Sequence, residues 1–310
     1  MDTPIPTPTR SIISVDIATD TPEASTNAGH QNHNQEPLID FEDIPSGVYL
    51  LYEDWSSDSA IYGINLQTGE QVYVSNKWYA FDDQRNRIAY LNEDRNLEIY
   101  NLQTKDSNEI PLNYRCSDMT WFPDDSFIAI NCEDRVYVIS IDDLALHLLT
   151  TWTHPSVHSY WNPTWSPDGK WIATTFRQLS SLNTTEDDGI YLLDTSCIKQ
   201  PSTCEEKMVG PIFPYSHHVR FAWSPKSDYI AAYVDYSIKI ADIKTSDTES
   251  LVDNTYDVYE LVWSPDGKWI YYSQATERTK IDIYKVSIHG GEPILIAENK
   301  GVVFSILDLD

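Results

Sequence analysis

"WSPDGKW" occurs at Trp165–Trp171 and again at Trp263–Trp269, and a worn copy, "WSPKSDY", lies between them at Trp223–Tyr229. In each copy an isoleucine follows seven residues after the tryptophan: Ile172 after Trp165, Ile230 after Trp223, Ile270 after Trp263. The same offset joins Trp121 to Ile128 in "WFPDDSFI" and Phe81 to Ile88 in "FDDQRNRI". The anchors at 81, 121, 165, 223 and 263 are spaced by 40, 44, 58 and 40 residues. A period of about 40–50 residues signals a solenoid or a propeller.

The content of each repeat decides between the two. A short apolar strand precedes each anchor, as in "VYELVW" at 258–263. Ser-Pro-Asp-Gly then forms a tight turn: Pro fixes φ, Asp bonds back to the backbone, and Gly accepts positive φ. A second strand follows ("KWIYYS"), then a third: "AIYGIN", "LEIYNL", "RVYVIS", "GIYLLD", "SIKIAD" or "IDIYKV". A shorter fourth closes the unit, as in "HGGEPILI". Four antiparallel strands per repeat, with no helical period, make a propeller blade. "GVYLLYE" at 47–53 is a second strand without a first, and "VVFSILD" at 302–308 is a first strand without a successor. The expected fold is therefore an all-β, six-bladed β-propeller of four-stranded antiparallel blades, closed by the C-terminal strand pairing into the first blade. Gly169 and Gly267 become Ser227, Asp125 and Arg85 at matching positions, so the turn is expected to carry its left-handed corner on non-glycine residues too.

These repeats resemble those of the TolB-like propellers, whose units follow a WD-like "WSPDGKxIAF" pattern. "WSPDGKWIATT" and "WSPDGKWIYYS" carry the likeness, and "WSPKSDYIAAYV" extends it. The resemblance covers about 45–310. It implies the fold, and it implies a neighbourhood of periplasmic protein-binding propellers and of peptidase propellers. TolB's extra N-terminal domain has no counterpart in 1–44.

Composition bounds the rest. Of 310 residues, 41% are hydrophobic, enough for a sizeable core, and 12% are aromatic, with 20 Tyr and 10 Trp, which suits pleated surfaces. With 48 acids and 21 bases the net charge is −27. That excludes a nucleic-acid partner, since no basic surface exists to displace counterions from phosphates. The acids serve solubility, with a cationic partner or divalent cations as the sharper alternatives. No apolar run is long enough for a spanning helix. "MDTPIPTPTR" has no secretory h-region, which leaves a cytosolic chain or the mature form of an exported, possible lipid-anchored precursor. Residues 1–44, rich in Thr, Pro and Asn, read as a disordered tether before the propeller of 45–310. "HQNH" at 30–33 reads as part of that solvated tail.

Cys116 and Cys132 face each other across the first hairpin of the third blade. Cys197 and Cys204 flank "IKQPST" in a hairpin of the fourth. Two disulfides are expected, with free thiols as the alternative, and they imply an oxidising, extracytoplasmic compartment: periplasmic, secreted or cell-surface anchored. No CxxC spacing favours zinc.

No GxSxG elbow, GxxxxGK[ST] loop, HExxH helix or EF-hand loop occurs, and no cofactor is expected. The loops between blades, together with those between second and third strands, open on one face, and the Pro-Asp-Gly turns lie on the other. The first face collects Trp55, Trp78, Tyr79, Tyr114, Trp152, His154, His158, Tyr215, His217, His218 and Tyr256, with the insertion at 177–189. Aromatic, His-bearing loops suit peptide or sugar recognition, although many of these rings can instead seal blade junctions. The leading expectation is a monomeric, non-catalytic propeller that binds a protein or peptide through this face. The alternatives are a metal-dependent, lyase-like enzyme acting on an extracellular polymer through the His cluster, and a structural spacer. Non-reducing peptide mapping should return Cys116–Cys132 and Cys197–Cys204; crossed pairs would show that the hairpins are misplaced.

Overall fold

The computed structural model describes residues 44–54, 60–75, 79–81, 86–133, 135–150, 158–178, 188–199, 208–214, 219–277 and 280–308. Six four-stranded antiparallel sheets form the blades of a ring. The inner strands are Val302–Asp308, Ala80–Phe81, Cys116–Trp121, His158–Trp165, Arg220–Trp223 and Val258–Trp263, for blades one to six. Every anchor pairs with the isoleucine seven residues on, from Phe81 with Ile88 to Trp263 with Ile270.

Closure is made as the repeat count requires. Val302–Asp308 lies antiparallel to Val48–Asp54, with Leu50 opposite Ile306. Tyr49, Leu50, Leu51 and Tyr52 are almost wholly buried there. Gly301, at φ +137°, leads into the closing strand so close to the carbonyl of Glu53 that a Cβ would overlap it. That corner is open only to glycine.

Burial falls from the axis outwards. The second strand of blade three, Phe127–Cys132, is buried at all but its first residue. The fourth strands Ser107–Ile110 and Thr248–Val252 are largely exposed. The core is a set of layers between neighbouring blades. One layer joins Leu50, Tyr52 and Val303 of blade one to Val262, Tyr271 and Ile283 of blade six.

The repeated phrase works at two levels. Its turn bonds Gly169 N–H to the Ser166 carbonyl at 2.8 Å and Gly267 N–H to the Ser264 carbonyl at 2.9 Å. Gly169, Gly267, Ser227 and Asp125 all hold φ between 61° and 70°. Arg85, expected to do the same, lies outside the described residues. The serine locks the turn: Ser264 Oγ accepts from Trp269 N–H at 2.9 Å and donates to Asp266 Oδ1 at 2.7 Å, and Ser166 Oγ repeats the pattern with Trp171 N–H and Asp168.

The tryptophan then ties each blade to the one before it. Trp121 Nε1 donates to the Ala80 carbonyl at 2.8 Å, Trp223 Nε1 to Thr164 at 3.1 Å, and Trp263 Nε1 to Ala222 at 3.0 Å. Each acceptor is the residue just before the preceding blade's anchor. Trp165 is the exception. Phe122 stands where the three Trp-Ser-Pro copies carry serine and meets the Trp165 indole edge-on at 4.7 Å. Trp165 Nε1 is buried without a partner among the described residues. The same Phe122 ring would lie 2.7 Å from a Cβ at Gly169, a second reason for glycine in that turn.

A second repeated phrase becomes visible here. "NLQTG", "NLQTK" and "DIKTS" close the third-to-fourth-strand turns of blades one, two and five. In them Asn65, Asn101 and Asp242 accept through Oδ1 from the N–H groups two and three residues on. These are Asx turns.

Trp263→Phe strands the Ala222 carbonyl, whereas Trp165→Phe removes an N–H that has no acceptor. Denaturant unfolding should therefore show Trp263→Phe to be the costlier change by about 1 kcal/mol, the net worth of a buried hydrogen bond. Equal costs would mean that the inter-blade bond carries no weight.

Candidate functional site

The strand order assigns the two faces of the ring. The Pro-Asp-Gly turns and the third-to-fourth-strand turns share one face, the turn face; the loops between blades and the second-to-third-strand turns share the other, the loop face. The first strand described, Val48–Asp54, starts beside Asp308 at the turn face, so residue 44 enters and residue 308 leaves there.

Five large apolar side chains are exposed among the described residues: Tyr73, Tyr114, Val209, Tyr236 and Tyr256. Tyr73 and Val209 sit on fourth strands at the rim. The other three are on the loop face. Tyr114 stacks on Tyr137 with centroids 5.4 Å apart; burial, then the neighbouring Tyr114 phenol, raises the Tyr137 hydroxyl above its usual range. Tyr256 leans on Tyr236 at 5.1 Å. Thr255 N–H donates to the Tyr236 carbonyl at 2.8 Å, and Tyr233 OH donates to the Thr255 carbonyl at 3.2 Å, so loop and turn hold each other.

Tyr236 escapes a reading of loop composition because it sits in a two-residue hairpin turn. Val234 pairs with Ser237, and the corner is Asp235-Tyr236, at φ 50° and 60°. That turn type favours Asn-Gly, because both corner residues are left-handed. A tyrosine there is strained, and the residue is 60% exposed.

Of the residues expected on this face, Tyr114 and Tyr256 are there and exposed. Tyr79 is buried in a cluster with Ile88, Tyr90 and Tyr100, where it seals blade two. His158 begins its strand, but its side chain is outside the described residues, as are Trp55, Trp78, Trp152, His154, Tyr215, His217, His218 and most of the insertion at 177–189. Cys116 and Cys132 form a disulfide across the paired ends of their strands. Cys204 and the Cys197 side chain lie outside the described residues. No group of three or more metal-ligating side chains occurs among the described residues.

The second feature is the bore of the ring, a cavity of about 900 Å³ lined by residues of all six inner strands. Asn92 and Glu93, from a loop-face turn, also line it, so the cavity reaches the loop face. Alignment on the anchors puts Asp118, Asn162, Arg220 and Glu260 in one column, each three residues before its Trp. Asp118, Asn162 and Glu260 line the bore. Glu260 is walled by protein, yet its side chain keeps 31% of its surface open to the cavity. Burial pushes its carboxyl up to about 7; the charge of Arg220 and the Leu261 N–H pull it down, and the charge of Asp118 adds to the rise. Arg220 Nε stands 3.8 Å from Glu260 Oε2 but donates to the Tyr259 carbonyl at 2.8 Å.

The sequence matches no protein-family model and no curated protein. Solved structures match in fold. TolB from Acinetobacter baumannii superposes with a TM-score of 0.59 at 16% identity, over 84% of this chain and 66% of that one. A putative TolB from Agrobacterium tumefaciens gives 0.56 at 13% identity, over 84% and 91%. An oligogalacturonate lyase from Vibrio parahaemolyticus gives 0.53 at 11% identity, over 84% and 74%. The chain thus has a TolB-like propeller fold and spans about two thirds of the Acinetobacter protein. TolB and an oligogalacturonate lyase stand side by side among its likenesses, so fold does not assign its activity.

Glu260 supplies a pH test. Its folded carboxyl titrates near 7 against an ordinary 4.5, so the native state holds the extra proton between those values. Stability from this group is therefore lost as pH rises through that window. Melting scans should show Glu260→Gln gaining on the parent protein between about pH 5 and about pH 8. A difference that is flat with pH would remove Glu260 as the titrating group.

Proposed function

We propose that this ring is a non-catalytic binding module, held outside the cytoplasm, that takes a protein or peptide partner through its loop face. The observation that carries the reading is the Tyr236–Tyr256 pair: a tyrosine kept exposed at a strained left-handed corner, against a second exposed tyrosine. Strain of this kind survives where something other than stability selects it. Exposed tyrosines offer large, rigid contact area with a polar tip, the usual make-up of an interaction surface.

Two further observations agree. The chain enters the ring on the turn face, so a tether over 1–44 would point the loop face away from its attachment. The Cys116–Cys132 disulfide suits an oxidising compartment.

The test uses peptides selected from a random display library on the immobilised protein. Tyr256→Ala should weaken the selected peptides by about 30-fold, the loss of about 2 kcal/mol expected of an interface anchor. Tyr236→Asn should weaken them too and leave the melting temperature unchanged or higher, because Asn tolerates the left-handed corner. Lys268→Ala, on the turn face, should change nothing. If Lys268→Ala abolishes binding while both tyrosine variants bind normally, the face is wrong. A stoichiometric transition metal in protein purified without a His tag, lost in His158→Ala with His217→Ala, would favour a metal-dependent polymer lyase instead.

A further inference from the structure

We propose that the central channel is a binding site for an organic cation, a primary ammonium or guanidinium group on an apolar stem, held by Asp118 and Glu260 beside apolar side chains of the lining. The proposal does not rest on the loop-face tyrosines.

The lining has one sign. Glu93, Asp118 and Glu260 line the bore, and no Lys, Arg or His does among the described residues. Its volume, about 900 Å³, lies in the range of small-ligand sites. Glu260 lines the bore with 31% of its side chain open, beside Arg220. Its Oε1 accepts from Leu261 N–H at 3.3 Å, while Oε2 has only Arg220 Nε, at 3.8 Å, beyond hydrogen-bond reach. Two of the Arg220 N–H groups donate to the Tyr259 and Val219 carbonyls, at 2.8 Å and 3.4 Å. With 31% of the Glu260 side chain open, a ligand donor can reach the carboxylate from the bore. Asp118 is exposed to the bore and bonds the Ser117 hydroxyl at 2.9 Å.

A metal ion is the poorer occupant. Among the described residues the acids do not gather into a set of three ligands, and a hard cation needs about six oxygens around it. Instead, Phe81, Phe221 and Phe304 share the lining with the carboxylates. Carboxylates that share a cavity lining with apolar side chains suit a cation whose stem is apolar.

The test is calorimetric titration of the full chain with agmatine and with acetyl-Gly-Arg-Gly-amide, against acetyl-Gly-Gln-Gly-amide. At least one cationic probe should bind one per ring. Asp118→Asn and Glu260→Gln should each weaken it about tenfold, or about 1.4 kcal/mol. Asp266→Asn on the turn face should have no effect. Agmatine binding alone identifies a small amine; peptide binding alone identifies a basic side chain of a polypeptide. Asp118 has few contacts to lose, so Asp118→Asn decides the matter if Glu260→Gln does not fold. The proposal is overturned if no cationic probe binds at about 10 mM, if the Gln peptide binds as well, if Asp266→Asn weakens binding equally, or if calcium displaces the probe one for one. Tyr236→Asn should leave agmatine binding intact, so this site and the loop face fail separately.

Discussion

A propeller blade has two apolar faces, and no blade can cover both alone. Five of the six residues of Phe127–Cys132 are buried, which takes a neighbour on each side. In a row the end blades would each leave a face and an edge open to water; only a ring gives every blade two neighbours. The structure therefore depends on one pairing, Val302–Asp308 against Val48–Asp54, and on the glycine corner at 301 that lets the strand approach. The same closure makes the bore, because the pairing sets the sixth wall of the channel in place. Fold and candidate site thus share one point of failure.

The fold was legible because one geometric demand recurs at every blade. An inner strand must end in a tight turn and tie to the blade before it, so Trp, Ser, the corner residue and Ile recur at fixed offsets. The indole bond makes the tie directional: each Trp reaches back one blade, to the carbonyl just ahead of the previous anchor. The Trp165 exception was not legible. It follows from Phe122, 43 positions earlier in the chain, and only the packing of two blades shows that a ring in place of serine blocks an indole. The role of the serine was missed for a related reason. Its hydroxyl serves the turn's own backbone, and propensity treats it as one more turn residue.

The site was less legible, and its two halves failed differently. Tyr114 and Tyr256 lie in recognisable loops between blades, and topology alone puts them on one face. Tyr236 does not look like a loop residue, since "VDYS" is the whole of a two-residue hairpin where Asn-Gly belongs. The wrong residue for the turn was the signal. In the bore, Asp118 and Glu260 each sit in a short strand where a charge reads as an ordinary solvent-facing position. They form a column with Asn162 and Arg220 only when the repeats are stacked on their anchors. Inner-strand side chains that face water in a drawn sheet face each other across a channel once the sheet is one of six.

The net charge of −27 does not by itself give the channel its sign. At physiological salt, exposed charges separated by more than about 8 Å are largely screened, so acids on the outer rim add little to the field in the bore. What counts there is local: three carboxylates line it, and the Arg220 guanidinium beside Glu260 offsets part of their charge. Low-dielectric walls focus that local field, and the more distant surface charge serves mainly to draw cations toward the protein. Burial raises the Glu260 carboxyl to about 7, so an arriving cation does more than meet a fixed charge. It shifts the carboxyl toward ionisation and creates part of its own attraction. Because Asn92 and Glu93 of a loop-face turn line the bore, a chain lying across Tyr236 and Tyr256 would run over a face that the bore reaches. A basic side chain on such a segment is the simplest single occupant of both features.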